Sequence, residues 1–398
     1  MRAVLSLVMG LALLAPTPTT PGIVAIGDIH GDLDAFTRSL RAAGLTDASG
    51  RWVAGSTVLV QTGDFLDRGP DVRAVMDRLM SLEAEATAAG GRVIALLGNH
   101  EVMNLVGERR DVSTSAYKAF ADDRSGARRE AAWDEYQRLV SRLPEQDRKA
   151  TVYQRGRDEW MDDHPPGYLE YCDAIAPRGR YGTWLRRRDM VAMVGGSIFM
   201  HAGIAPAKAP QKVSDLNGEL RDEIRRFDRF VQRLVDSKRA LPSFTLPEII
   251  EVAQQVMQTA SDAIESAGAQ KRPLDRAAVD VDLIAAAADI LKMNGWSAFD
   301  PQGPMWYRGF STLSETASND IALLLQRYGA SRFVTAHTVT SDRRIALRFG
   351  GRVILIDTGM LASVFNGRPS ALKIDGEALT AIYEDQHLPL TVAPTTGR

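Results

Sequence analysis

The chain has 398 residues, 45% of them hydrophobic and 25% charged, and its 48 Lys and Arg residues nearly balance 50 Asp and Glu residues. That composition excludes a disordered chain and a multi-span membrane protein. A formal net charge of −2 gives no global pull toward nucleic acid or an anionic membrane, so no nucleic-acid partner is expected. The single cysteine, Cys172, rules out an internal disulfide and any multi-cysteine zinc or iron–sulfur site.

At about 100–200 residues per domain, the length fits two to three domains or one large α/β domain carrying insertions. The N-terminus differs from the rest: Arg2 precedes an apolar run over 3–15 and a Pro/Thr stretch over 16–21. The run is well short of the roughly 20 apolar residues that cross a bilayer, so no stable membrane span is expected. A short positive segment, an apolar stretch and small residues at its end read as a secretory signal. Residues 1–20 are therefore expected to be signal peptide and leader, and the protein to be exported, periplasmic or secreted. A cytoplasmic location is the alternative, should the segment not act as a signal.

Three short apolar runs follow. Ile23–Ile26 ends in Gly27-Asp28, 58–62 ends in Gly63-Asp64, and 93–97 ends in Gly98-Asn99-His100. Runs of this kind, rich in β-branched residues, fit strands buried on both faces. Helical patterns over 33–43 and 72–89 separate them, giving the strand–helix alternation of a parallel sheet. The Gly-led turns then share one edge, at the carboxyl ends of the strands, where open α/β sheets bind ligands. The strand pattern resumes with Ser197–Met200 into His201, Arg332–Thr335 into Ala336-His337, and 352–356 into Asp357-Thr358-Gly359. The intervening segments, at about 108–190 and 208–299, read as helical insertions. In the second, Ile249, Ala253, Val256, Ala260, Ala263 and Ala267 mark one amphipathic face.

Five clusters thus stand at five strand ends: Gly27-Asp28-Ile29-His30-Gly31, Gly63-Asp64-Phe65-Leu66-Asp67-Arg68-Gly69, Gly98-Asn99-His100-Glu101, His201-Ala202-Gly203 and Ala336-His337-Thr338. Carboxylate, imidazole and amide oxygen without thiolate suit a pair of borderline divalent cations. Singly, each residue has a plainer reading: Asp28 as a helix cap, Asp67 as a turn residue, His201 and His337 as core histidines, Arg68 as a surface cation. Jointly they hold four of the six histidines of the chain, which those readings do not explain. His164 and His387 read as loop or surface residues. Arg186-Arg187-Arg188 reads as a solvated face, and Trp306 and Tyr307 as core or pocket wall. No Gly-Lys dipeptide is present, which excludes a P-loop.

These motifs resemble the calcineurin-like metallophosphoesterases, in their phosphoprotein phosphatase branch. The strings over 305–309 and 357–360 are most similar to the bacterial-type Shewanella-like protein phosphatases. The resemblance covers roughly 22–107, 191–206 and 303–361. It implies an α/β sandwich of mixed sheets flanked by helices, forming one metallophosphoesterase domain over 21–398 with two helical insertions. It further implies two divalent metal ions (Mn, Fe or Zn), one held by Asp28, His30 and Asp64, the other by Asp64, Asn99, His201 and His337. A hydroxide bridging cations about 3.5–4 Å apart would attack phosphorus in line. His100 would protonate the leaving group with Asp67 orienting it, and Arg68 and Arg308 would clamp the phosphoryl oxygens.

The implied activity is a phosphomonoesterase of the serine/threonine- or tyrosine-type protein phosphatase kind. Its partner would be a phosphorylated protein, peptide or small molecule. A nucleotide or diadenosine-polyphosphate hydrolase on the same site is the alternative, and a noncatalytic metal-binding scaffold a third reading. Two departures from the family pattern, Ala202 and Ala336 at positions where glycine is usual, are expected to tighten turns without replacing a ligand.

Overall fold

Each apolar run forms a strand because both of its faces find apolar partners. A computed structural model describes residues 21–271 and 280–391; the expected signal segment lies outside the described residues. In chain order the strands are β1 Ile23–Ile26, β2 Val58–Gln61, β3 Arg92–Ala95, β4 Val191–Val194, β5 Ser197–Met200 and β6 Arg332–Thr335. They continue with β7 Ala346–Arg348, β8 Val353–Leu355, β9 Ala371–Asp375, β10 Ala378–Ile382 and β11 His387–Pro389.

The strands form two mixed sheets, as the sandwich implied by the resemblance requires, although the strand pattern alone did not divide them. One has the order β11-β10-β9-β1-β2-β3 and the other β4-β5-β6-β8-β7. In the first, β1, β2 and β3 are parallel and in step, Ile23 beside Val58 and Val58 beside Arg92. β9 runs antiparallel along β1, and β10 and β11 extend the sheet beyond it. In the second, β5, β6 and β8 are parallel, flanked by antiparallel β4 and β7.

Side chains alternate across a strand, and the alternation assigns each one a layer. Ala25, Val60, Ile94, Phe199, Val334 and Ile354 meet between the two sheets. Val24, Ile26, Leu59, Ile198 and Phe333 point the other way, into the helical layers. Burial on both faces is why the runs are continuously apolar, and also why their sequences did not show which sheet each joins. Phe199 is fully buried in the inter-sheet layer, and truncation to alanine should cost about 3–5 kcal/mol.

Helices Leu33–Ala42 and Val72–Ala88 pack on the first sheet. The first is capped by Asp32, whose carboxylate accepts from Ala35 N at 2.8 Å, so Asp28 is left uncommitted to capping. Between β3 and β4 the chain forms short helices, among them Tyr168–Ile175 and Arg180–Leu185. Between β5 and β6 it forms Asp215–Asp236, Leu246–Ala269 and Val281–Ile290. Trp133, Trp160, Phe230 and Ile249 share a core built by helices and their connections, with no strand residue in it.

Two expectations are corrected here. His164 is buried, stacked on Trp160 with ring centroids 3.9 Å apart, and its Nδ1 bonds the Trp160 carbonyl at 2.7 Å. Arg186 and Arg188 are not a solvated face: Arg186 makes a bidentate pair with Asp228 at 2.8 Å, and Arg188 bonds Glu83 and stacks on Trp184. Arg186 is neutralised by a partner 42 residues away, whereas His164 is covered by Trp160, one helical turn before it. Arg187 and His387 are exposed. Among the described residues, no helix is long and apolar enough to cross a membrane.

Candidate active site

Parallel register brings the ends of β1, β2 and β3 to one edge, and the ends of β5, β6 and β8 meet them there. Asp28, His30, Asp64, Asp67, Asn99, His100, His201 and His337 are all buried in this one place. The loops that carry them are unusual in backbone. His30, Asp64, Asp67, Arg68 and His337 have φ of 48°, 54°, 66°, 67° and 64°, in the left-handed region that non-glycine residues rarely enter. Strain of this kind gathers where surrounding structure fixes a functional geometry. Gly98 answers to space instead: a Cβ there would lie 2.2 Å from Asp64 Oδ1.

The donor atoms converge. His201 Nδ1 donates to the Thr62 carbonyl at 3.1 Å, which leaves Nε2 as a lone pair. That lone pair faces Asn99 Oδ1 at 2.8 Å, His337 Nδ1 at 3.0 Å and Asp64 Oδ2 at 3.2 Å. Acceptor atoms this close repel one another unless a cation or proton lies among them, so the set fits a divalent cation. His30 is prepared in the same way, its Nδ1 donating to the Leu66 carbonyl at 3.0 Å. Its Nε2 lies 3.9 Å from Asp28 Oδ2 and 3.8 Å from Asp64 Oδ2. Asp64 thus stands between two donor groups, one with His201 and His337, the other with His30 and His100.

Burial and the carboxylates of Asp357 and Asp64 push Asp28 well above the usual carboxylate range. Burial lowers His30 to about 3, so its imidazole is held neutral and ligand-ready.

His100 is held differently. Its Nδ1 is 2.7 Å from Asp67 Oδ2, and Asp67 Oδ1 accepts from Asn104 Nδ2 at 2.8 Å. Burial works against the imidazolium, but the Asp64 and Asp67 carboxylates outweigh it and raise His100 to about 9. Arg68 donates to both His30 Nε2 (3.0 Å) and His100 Nε2 (3.1 Å). A protonated His100 cannot accept that second bond. Arg68 therefore has to turn away both for His100 to act as an acid and for a cation to reach His30. Arg308 is anchored on the His337 carbonyl (3.1 Å) and Thr338 Oγ1 (2.8 Å).

The site opens into a pocket of about 280 Å3, with Arg68 and Arg308 in its wall together with Trp306 and Phe365. Of the ten residues singled out in the sequence, Asp67 and His201 lie behind that lining and the other eight contribute to it. Trp306 Nε1 is tied to the Ala298 carbonyl at 2.8 Å, so it serves as wall, while Tyr307 is buried in the core. Ala202 and Ala336 are buried without displacing a ligand, and Ala336 joins the inter-sheet layer.

Several contributors were missed in the sequence. Glu101 accepts from the backbone N–H groups of Asp64, Phe65, Leu66 and Gly98 at 2.7–2.9 Å. It lies inside a motif already quoted, but no role was drawn from it. Asp357 follows a strand end like the ligand residues and is buried beside Asp28, a signal that could have found it. Asn104 lies one helical turn after His100, while Tyr171, whose Oη donates to Asn104 Oδ1 at 2.6 Å, had no local signal at all.

A cluster of Asp, His and Asn donors that fits divalent cations stands at the joined edges of an α/β sandwich, and the comparisons point to the same kind of protein. Residues 22–198 match the family model described as Calcineurin-like phosphoesterase. It is 32% identical over 213 residues to Shewanella-like protein phosphatase 2 of Arabidopsis thaliana, covering 52% of each chain. It is 34% identical over 125 residues to Shewanella-like protein phosphatase 1 of Plasmodium berghei, covering 31% of this chain and 34% of that one. The chain thus spans about half or less of the length of these two relatives. A solved cold-active protein-tyrosine phosphatase of a psychrophilic Shewanella species shares the fold, with TM-score 0.53 and 21% identity over 94% of this chain and 81% of that one.

Proposed function

We propose that this chain is a metal-dependent phosphomonoesterase that removes phosphate from phosphoproteins or phosphopeptides. The observation that carries the reading is that Arg68 and Arg308 stand in the wall of the pocket into which the convergent donor set opens. Two guanidinium groups above a cation site suit a dianionic terminal phosphate, which a diester does not present. Asp28, His30 and Asp64 would hold one divalent cation, and Asp64, Asn99, His201 and His337 a second. When bound, the pair supplies Lewis acidity to water and to the phosphoryl oxygens.

The chain's own residues do the rest. Arg68 and Arg308 bind and orient the phosphoryl group. His100, its ring fixed by Asp67, gives its proton to the departing alkoxide or phenoxide oxygen. The relatives' names support a protein substrate, and the family match supports the chemistry.

The test is phosphate release by the manganese-loaded protein from phosphoserine peptide, phosphotyrosine peptide and diadenosine tetraphosphate. Release from the peptides that chelation abolishes is expected. Preference for the dinucleotide would transfer the site to nucleotide hydrolysis, and no release from any of them would reject the reading. The N-terminal run over 3–15 supports export, with cleavage expected between Ala15 and Ile23. N-terminal sequencing of protein from its native host checks this, and an intact Met1 on cytosolic protein would overturn it.

A further inference from the structure

A second cavity, of about 290 Å3, lies away from the phosphate pocket where Tyr168–Ile175, Asp215–Asp236 and Leu246–Ala269 meet the end of Asn99–Leu105. Its walls are largely apolar, with Leu105, Ile175, Phe227, Val231 and Phe244 among them. Three arginines also line it, and they differ in how their charge is met. Arg186 is neutralised by its bidentate pair with Asp228. Arg178 is exposed, and no carboxylate pairs with it among the described residues.

Arg109 is the telling one. Its Nη1 donates to two neutral acceptors, Tyr168 Oη at 2.9 Å and the Ser243 carbonyl at 3.2 Å, and the guanidinium lies over the Tyr168 ring. Its Nε is buried with no hydrogen-bond partner, and among the described residues no carboxylate pairs with it. A guanidinium taken out of water without a counter-charge is costly, and the cost falls when an anion enters beside it. Nη2 makes no hydrogen bond, and with Nε it forms the planar edge that can receive a carboxylate through two parallel bonds once a small movement of the side chain uncovers the enclosed Nε.

We propose that this cavity is a binding site for an amphipathic carboxylate, a small apolar body ending in a carboxylate, with the apolar part among Leu105, Phe227 and Val231 and the carboxylate on Arg109. The volume lies near the lower end of small-ligand pockets, which suits a medium-chain acid rather than a peptide. Asn104 is part of the same lining, so the occupant shares a wall residue with the group that holds Asp67.

The experiment is calorimetric titration of the full-length protein with decanoate and, separately, with decanol, below the concentration at which either self-associates. Decanoate is expected to saturate one site on the unmodified protein, at least tenfold tighter than decanol. Arg109→Gln should remove that tenfold advantage, and Val231→Trp, which fills the apolar end, should abolish binding of both. Absence of saturable decanoate binding, equal binding of decanol and decanoate, or binding undisturbed by Val231→Trp would each overturn the proposal. Should Arg109→Gln fail to fold in a melting experiment, the decanoate-to-decanol ratio on the unmodified protein decides. None of these measurements reads phosphate release, so they stand or fall independently of the proposed hydrolysis.

Discussion

His100 is approached from two sides by regions of different character. On one side are the sheet-edge loops, which carry Asp64, Asp67 and Arg68 within a few residues of a strand end. On the other is the helical layer, where Tyr171 reaches Asn104 at 2.6 Å from a position 67 residues further along the chain. The edge supplies the groups to which the proposed chemistry falls. The helices supply the support that keeps those groups in place, and they do so with residues whose local sequence carries no mark of it. Chemistry and its support are thus written into the chain at different ranges.

The comparison breaks most sharply at Asp64. It is the carboxylate common to both donor sets, so Asp64→Ala is expected to lose bound metal and to reduce hydrolysis by about a thousandfold or more. Metal analysis beside phosphate release checks both. If Asp28→Ala were the more damaging of the two, Asp64 would not be the shared group.

Next comes the proposed acid, His100. His100→Asn should cost about 10²–10⁴-fold on an alkyl phosphate such as phosphoserine and much less on an activated aryl phosphate, with metal content preserved. Neighbouring carboxylates raise His100 to about 9, so the imidazolium is the form favoured at neutral pH once Arg68 has turned away from Nε2. The alkyl-phosphate rate should therefore hold at lower pH and fall as pH rises through His100's own value. A cation neutralising Asp64 moves that fall below 9, and His100→Asn should remove this limb from the profile. Loss of metal in this variant would make His100 a ligand instead, which its 3.8 Å approach to Asp64 Oδ2 also permits.

The helical side should give the smallest effect. Tyr171→Phe removes one hydrogen bond, about 0.5–1.5 kcal/mol, and should slow alkyl-phosphate hydrolysis by roughly two- to tenfold. Aryl-phosphate turnover and metal content should be nearly unchanged. Equal slowing on both substrates would mean that the helices support the whole edge rather than the acid.

The edge was legible in the sequence because glycine, ligand-type residue and apolar run repeat at several strand ends, and the parallel pattern implies that those ends coincide. The resemblance implied a sandwich, but the runs themselves did not show which sheet each strand joins, since Val58 to Gln61 and Ser197 to Met200 read alike while belonging to different sheets. Arg186 was misread because its pairing with Asp228 is a long-range event that local composition does not encode, whereas His164 stacks on Trp160 at i, i+4 spacing, a local signal that was passed over. The left-handed backbone at Asp64 and His337 was equally invisible, since nothing in either residue demands it.

Glu101 has a wider consequence. One carboxylate accepts amide protons from residues 64–66 and from Gly98, so the loop after β2 and the turn after β3 are cast around the same two oxygens. Neither loop can relax alone. Substitutions in the two segments should therefore be energetically non-additive, a second change causing less further loss once the first has released the shared anchor. Sequence drift at this edge is then constrained in pairs, and a graft of either loop into another scaffold would need the glutamate and both loops to travel together.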